Sequence, residues 1–383
     1  MEAKADFAAE LGEVRKLARE VAQERIALGA LERDRDHTFP WDSMRALGQA
    51  GLLEVGISES YGGVGGGRSA FVSIAEEIAK ACASTALVYV TSAIAAKAIE
   101  IAGSEAVREK WLPELMAGRS VGASAVHEPD SGCNSAAITT RARREGNNYI
   151  ANGSKFFITS AQEADVYVVL TKPDPLESPA QTTALLVEKN ASGLSFGRPE
   201  DKMGLTSNSS RDMFFSDCHV PSDNLLGNEG EGSQVIAKAV VGWGFFGVAA
   251  ISVGIARSAT NLSIKHAKER TIAGRPIAVH QAVQMMIADM VIAGDASGSL
   301  LAECVARADL SPGTAAVNAF KAKLFASETA VDIADKAIQV HGGHGYCREY
   351  FVERLFRDAR GLLLHFKTSE LLRQDIAGAA FEM

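Results

Sequence analysis

The feature that most constrains this chain is a stretch near its C-terminal end, residues 339–373. A long helical pattern over 315–340 runs into a glycine-rich turn at 342–345. Glycines let the backbone approach a bound group closely or adopt positive φ. The charges of the next segment stop at a Gly-Leu-Leu-Leu run, which predicts that His365 and Phe366 point toward a buried place.

This stretch resembles the C-terminal part of the acyl-CoA dehydrogenase family. Those enzymes usually read Gln-x-x-Gly-Gly-x-Gly-Tyr, then Glu-Tyr-Pro-Val-Glu-Arg, Arg-Asp-Ala and Tyr-Glu-Gly-Thr-Ser. Four blocks of this chain keep that order and spacing, at 339–346, 349–354, 357–360 and 365–369. One departure matters more than the matches, because Phe366 stands where the family has its catalytic Glu.

Composition excludes several functional classes. The chain has 383 residues with 39 basic and 47 acidic side chains, a net charge of −8 and no basic run, which argues against nucleic-acid binding. Five scattered cysteines fit a reducing cytoplasm. No signal peptide is recognised in residues 1–25, and the apolar stretch Ala83 to Ala96 reads as a buried helix too short to span a bilayer.

The pattern along the chain changes twice. Residues 1–120 have helical periodicity, 121–225 have short β-type runs separated by turn residues, and 226–383 are helical again. We predict an α+β protein with an N-terminal helical domain, a middle antiparallel β-barrel and a C-terminal four-helix bundle, which is the acyl-CoA dehydrogenase architecture. We also expect one helix over Ala70 to Ile101, a helix end or kink at Pro113, and a turn at 152–154.

The resemblance implies an FAD site. The family lines the isoalloxazine ring with a Thr-Glu-Pro-x-x-Gly-Ser-Asp loop and a Trp-Ile-Thr strand, which correspond here to 127–134 and 157–159. A flat apolar cofactor needs an aromatic wall and a few placed hydrogen bonds. The predicted residues are Phe157 for the wall, with Thr159 and the backbone near His127 for the polar edge; Cys133 belongs to the same loop.

The dinucleotide end of the site has its own motif. Residues 268–277 match the family's Glu-Arg-x-x-Phe-Gly-x-Pro except that Ala273 replaces Phe, and Arg270 would offer its guanidinium fork to the pyrophosphate. Some positions where relatives hold FAD contribute across a dimer interface, so we expect a homodimer or homotetramer. The other positions where relatives hold FAD, only some of them across that interface, are Gln281, Gln339, Gly343, Thr368 and Glu370.

The base of the family's reaction is missing. In those enzymes a carboxylate removes the α proton of an acyl-CoA while a hydride passes to the flavin. Some relatives carry that Glu on a different helix, at the position of Gly244 here, followed by an Arg where this chain has Phe245. These two positions are the predicted substrate contacts. The backbone N–H of Phe366 can still polarise a carbonyl, and His365 is the best catalytic side chain, although His127 and His344 could converge with it.

Several functions therefore stay open. The first is an FAD-dependent oxygenase or oxidase of secondary metabolism that acts on a CoA thioester with O2, behind an apolar wall that excludes water. The others are a conventional acyl-CoA or acyl-carrier dehydrogenase whose base is His365 or Glu128, a redox-neutral enzyme that eliminates a sulfur group, and a non-catalytic flavin-binding protein. No metal is expected, and we expect Phe366→Glu to retain FAD.

Overall fold

The computed structural model describes residues 2–174 and 181–381, with side chains from residue 9 onward. Its first part is helical. A five-residue π-helix, Ala22–Ile26, follows the first helix, and Pro40 precedes the third. The helices are α1 Glu2–Val21, α2 Ala30–Asp36, α3 Trp41–Gln49, α4 Gly67–Ala81, α5 Ala83–Ala102 and α6 Glu105–Met116.

In this part the prediction of one helix over Ala70 to Ile101 was wrong, and so was a helix end at Pro113; the alternative of a kink there stays a prediction. The expected single helix over Ala70 to Ile101 is two helices, because Cys82 adopts an extended conformation with φ −157° and breaks the hydrogen-bond ladder. Pro113 does not end its helix, since α6 continues to Met116. Proline tends to interrupt helices, but Pro113 lies inside α6, which continues for three residues beyond it.

The second part is a sheet of eight strands in the order β6-β7-β3-β2-β4-β5-β8, with β1 beside β4. Most pairs are antiparallel as predicted, but β4 pairs in parallel with β1 and β2. The strands are β1 Gly122–Ala125, β2 Arg141–Glu145, β3 Asn148–Thr159, β4 Val166–Pro173, β5 Thr183–Glu188, β6 Leu194–Phe196, β7 Ser210–Pro221 and β8 Leu225–Leu226.

The long strand β3 shapes the site. The turn predicted at 152–154 is wrong, because these residues continue β3 through an irregularity in its pairing with β7. A second irregularity lies between Lys155 and Ile158, and there Phe157 has φ +57°. This bend leaves Phe156 and Phe157 both about two-fifths exposed, with ring centroids 5.7 Å apart. The strand therefore presents an aromatic surface.

The third part is a helical bundle built around α8. An eight-residue π-helix, Ala237–Gly244, leads into α8, and a Cβ added at Gly254 would lie 2.5 Å from the backbone oxygen of Glu76 on α4. The helices are α7 Gly232–Ile236, α8 Phe245–Glu269, α9 Gln281–Leu310, α10 Ala315–His341, α11 Phe351–Leu362 and α12 Ser369–Phe381, with a hairpin of β9 Thr271–Ile272 and β10 Arg275–Pro276 after α8.

Among the residues that the structure describes, three helical segments are long and apolar enough to cross a membrane by length and composition alone. The prediction that the α5 stretch is too short was wrong, because α5 has 20 residues. However, 72% of its apolar window is buried inside the protein, as is 89% of the window in Gly232–Glu269. The corresponding value for α9 is only 22%, so α9 presents an apolar face that the rest of the chain does not cover.

Candidate active site

The site is organised by the turn between α11 and α12. Phe366 in this turn has φ +60°, which costs a non-glycine residue about 1–2 kcal/mol. Lys323 on α10 donates from Nζ to the carbonyl oxygens of Leu363 at 2.9 Å and Lys367 at 2.8 Å. His127 Nε2 lies 3.0 Å from the carbonyl oxygen of Phe366. The strained conformation is therefore held by bonds from two other parts of the chain.

An aromatic wall fills the place of the missing base. The ring of Phe366 stacks on Phe245 at 5.3 Å, and Phe245 contacts Phe320 edge-on at 5.1 Å. A Cβ added at Gly244 would lie 3.0 Å from the ring of Phe366 and 2.7 Å from Ile94. The two positions that carry the family's base therefore meet in space, and both are apolar.

The backbone N–H of Phe366 is available to a ligand. The neighbouring N–H groups of His365 and Lys367 donate to the carbonyl oxygens of Leu362 and His365. Within residues 9–174 and 181–381, no oxygen accepts the Phe366 N–H. A fixed N–H of this kind can stabilise negative charge on a carbonyl oxygen.

His365 lies beside this turn, with Nε2 3.5 Å from Thr159 Oγ1. Burial lowers the pKa of His365 to about 3, and the nearby charges of Lys202 and Lys323 act in the same direction. The imidazole is therefore neutral at pH 7. A group with such a low pKa is a weak proton acceptor, so His365 is poorly suited to the role of general base.

Glu128 is the buried carboxylate of the predicted flavin loop, and its oxygens are occupied. They accept from Lys155 Nζ at 2.8 Å, from the N–H and hydroxyl of Thr139, and from the N–H of Thr140. Burial disfavours its charge, but the hydrogen bonds from Lys155 and Thr140 hold the pKa of Glu128 at about 2. Glu128 therefore anchors the loop to β3 and is not placed to remove a proton.

The predicted ring-binding residues fall in this region. Phe157 is exposed on β3, Thr159 is close to His365, Cys133 is near Lys323, and Thr368 directly follows the turn. Some buried polar atoms without a partner among the residues described belong to residues close to a predicted FAD residue: Ser124 lies three positions before His127, Ser369 directly follows Thr368, and the side-chain oxygen of Asn208 accepts from Ser160, the neighbour of Thr159. The atoms are Ser124 Oγ, Asn208 Nδ2 and Ser369 Oγ. An exposed aromatic surface with unpaired donors beside it fits a flavin ring.

The predicted dinucleotide residues form a second group at the far end of the bundle. Arg270 follows α8, Gln281 begins α9, and Gln339 and Gly343 lie at the end of α10; the exposed Glu370 begins α12 instead. The α8 stretch from Phe245 to the residues next to Arg270 is about 35 Å long. All five assignments stay predictions.

His344 belongs to that far group, so the hypothesis that three histidines converge was wrong. It stacks on Tyr350 at 5.0 Å, and its charge acts on His266, which stacks on His341 at 4.2 Å. Of the three histidines, His127 and His365 lie at the Phe366 turn.

Sequence reasoning missed two features. One is the π-helix before Gly244, which has no distinctive composition. The other is Lys323, whose signal was present, because this lysine stands between Ala319, Ala322 and Ala326 on the apolar side of α10. A lone lysine at such a position usually reads as a side chain that reaches solvent.

Family models match all three parts of the chain: the acyl-CoA dehydrogenase N-terminal domain over residues 8–119, its middle domain over 123–218 and its C-terminal domain over 230–381. The chain is 35% identical over 371 residues to a short-chain specific acyl-CoA dehydrogenase of Clostridium acetobutylicum, covering 96% of this chain and 97% of that protein. It is 36% identical over 366 residues to the acryloyl-CoA reductase (NADH) of Anaerotignum propionicum, covering 95% and 92%.

Solved structures agree with these matches. Butyryl-CoA dehydrogenase from Megasphaera elsdenii superposes with a TM-score of 0.91 at 31% identity, covering 97% of this chain and 98% of that one. The prolyl acyl carrier protein oxidase AnaB superposes with a TM-score of 0.89 at 25% identity, covering 97% and 98%.

Proposed function

The chain belongs to the acyl-CoA dehydrogenase family and its cofactor is FAD, and from this premise we propose that it oxidises an acyl thioester with O2, as an oxidase or oxygenase. The observation that carries the proposal is the contact between Phe366 and Gly244. It fills both base positions with apolar groups, so neither can remove an α proton; oxygenation by reduced flavin and O2 does not need that base, whereas an oxidase would need another proton acceptor.

Each part of the proposed site would have a separate role in binding or catalysis. The Phe366 N–H would donate to the thioester oxygen, and the wall of Phe366, Phe245 and Phe320 would keep water from that face. Phe157 and Thr159 would hold the isoalloxazine ring, and Arg270 would bind a pyrophosphate. When bound, FAD would supply a two-electron acceptor that O2 reoxidises with formation of H2O2 in an oxidase, whereas an oxygenase would also need an external two-electron reductant, such as a reduced nicotinamide, before O2 reacts.

The comparisons support the thioester and leave the use of oxygen as our proposal. The relatives are named for acyl-CoA and acryloyl-CoA substrates, and one structural neighbour is an oxidase of a carrier-bound acyl group. We therefore take a CoA thioester as the substrate class, with an acyl carrier protein as the other source of the same thioester. A role in secondary metabolism and a cytoplasmic location stay predictions.

A second candidate is an enoyl-CoA reductase, favoured by the similarity to acryloyl-CoA reductase. Such an enzyme must deliver a proton to the α carbon, and the two usual positions offer no acid. The apolar base positions agree equally well with the redox-neutral and non-catalytic alternatives, and product masses in the test below separate these from an oxidase or oxygenase.

The test is to mix purified holoprotein with saturated, unsaturated and aromatic CoA thioesters, with and without O2, and to follow flavin absorbance, oxygen uptake and product masses. Oxygen uptake that depends on the thioester supports the proposal. Rapid anaerobic bleaching by a saturated acyl-CoA, followed by reduced flavin that is stable in air, would establish a conventional dehydrogenase instead.

A further inference from the structure

Lys323 is a fully buried lysine next to the candidate active site. No described carboxylate lies within ion-pair distance of its ammonium group; Nζ donates only to the carbonyl oxygens of Leu363 and Lys367. Burying a charge without an opposite charge is costly, by several kcal/mol before compensation. An apolar side chain would fill the same place at lower cost, so stability alone does not account for a lysine here.

The two acceptors flank Phe366, since one lies three residues before it and the other directly after it. His127 lies against the carbonyl oxygen of Phe366 itself. These contacts tie down the turn on both sides, while the Phe366 N–H remains without a partner in the described structure. Charge-assisted hydrogen bonds are about twice as strong as neutral ones, which suits them to hold a strained residue.

The groups around Lys323 allow it to stay charged. Burial lowers the pKa of Lys323 to about 8, opposed by the more distant Cys133, Glu328 and Glu370. At pH 7 most of the population therefore carries the ammonium form. The neutral imidazole of His365 adds no competing positive charge.

We propose that Lys323 is a positioning residue, whose bonds to Leu363 and Lys367 fix the Phe366 turn so that the Phe366 N–H donates to the carbonyl oxygen of the bound thioester. This inference rests on the proposed function, because it needs a thioester at the site. Lys323 lies on α10, outside the motif blocks quoted for the family. Its proposed role is to hold the Phe366 backbone N–H in position.

The test uses 2,4-hexadienoyl-CoA, whose absorption band moves to longer wavelength when its carbonyl oxygen accepts a strong hydrogen bond. Holoprotein of the wild type, Lys323→Met and Lys323→Gln is titrated with this thioester, and FAD content and circular dichroism are recorded for each. We expect the red shift in the wild type, its loss in Lys323→Met together with about tenfold weaker binding, and a partial shift in Lys323→Gln, whose amide still donates.

Lys202→Met is the matched control. Lys202 is a half-buried lysine whose charge also acts on His365, but Nζ donates to the carbonyl oxygen of Asn208 and the hydroxyl of Ser210 and not to the Phe366 turn. This variant should keep the wild-type shift. A full shift in folded Lys323→Met, or a loss of the shift in Lys202→Met as large as the loss in Lys323→Met, would overturn the inference. Absence of any shift in the wild type would instead contradict the proposed thioester function, and the inference with it.

Discussion

Phe366 replaces an acid by an apolar ring while its backbone keeps an N–H group for a ligand. We expect Phe366→Glu to retain FAD, because the predicted flavin contacts lie on other residues. It should lower the free energy of unfolding by about 2–4 kcal/mol, because the stack on Phe245 is lost and a carboxyl group is partly buried. Flavin absorbance per protein and urea denaturation measure both effects.

The matched control is Phe366→Leu, which keeps an apolar side chain and should be less destabilised. If Phe366→Glu also bleaches anaerobically with butyryl-CoA, the missing carboxylate is the main difference from a dehydrogenase. A folded Phe366→Glu protein without any flavin would show that this residue is placed wrongly in our account.

His365 makes stability depend on pH. Its pKa is about 3 in the folded protein and about 6.5 in an unfolded chain, so the unfolded state binds more protons between these values. The contribution of His365 to the free energy of unfolding is complete above pH 6.5. It falls as the pH falls, by at most about 1.4 kcal/mol per pH unit. In urea denaturation at several pH values from 7 to 5, the free energy of unfolding should change less with pH for His365→Gln than for the wild type. Replacing the exposed His219 by Gln should leave this pH dependence unchanged.

At the scale of elements, the Glu128–Lys155 pair joins the flavin loop to β3. We expect Glu128→Gln to lower the free energy of unfolding by about 3 kcal/mol at pH 7, because Lys155 would remain buried without its counter-charge. The double variant Glu128→Gln/Lys155→Met should recover part of the loss. Equal stability of Glu128→Gln and wild type in urea denaturation would mean that the loop does not depend on this pair.

The contact between α8 and α4 depends on Gly254. An added Cβ would lie 2.5 Å from the backbone oxygen of Glu76 and 2.7 Å from Ala79. Gly254→Ala should therefore destabilise the protein by about 1–3 kcal/mol. Gly378, within α12, has open space around it, and Gly378→Ala should stabilise by about 0.5–1 kcal/mol. Thermal unfolding of the two variants should shift in opposite directions.

The elements that the sequence predicted well are those with a clear period. Buried runs such as Val166 to Leu170 and the helical return at Gly232 stand where they were expected. The break at Cys82 and the strand through 152–154 were missed because tertiary pairing, rather than local preference, decides them.

In the candidate site, too, the sequence predicted features that follow from local motifs but not those that depend on tertiary packing. Its chain-order motifs brought Phe366, His365 and Thr159 together correctly as neighbours. They could not reveal that Glu128 is fully hydrogen-bonded, that His344 lies at the far end, or that Lys323 reaches the turn. Those facts depend on how helices and strands far apart in sequence are packed.

At the scale of the whole molecule, α9 leaves apolar side chains in solvent, among them Met285 at 62% and Ile292 at 68% exposure. An exposed patch of this kind usually marks an interface, and we expect a second copy of the chain to cover it in a homodimer or homotetramer. Ile292→Asp should shift the mass measured by light scattering toward the monomer of 40.5 kDa. The equally exposed Leu28 lies near the N-terminus, and Leu28→Asp should leave the assembly intact. A monomeric wild type would contradict this expectation.

The close contact between Gly244 and the ring of Phe366 also limits the order in which substitutions at these two positions can occur. A glutamate introduced at position 244 would meet the phenyl ring and Ile94. Descendants could recover an acid there only after the aromatic group had first become smaller, whereas an acid at position 366 faces no such prerequisite. The order of substitutions is thus restricted, because an acid can be introduced directly at only one of the two positions.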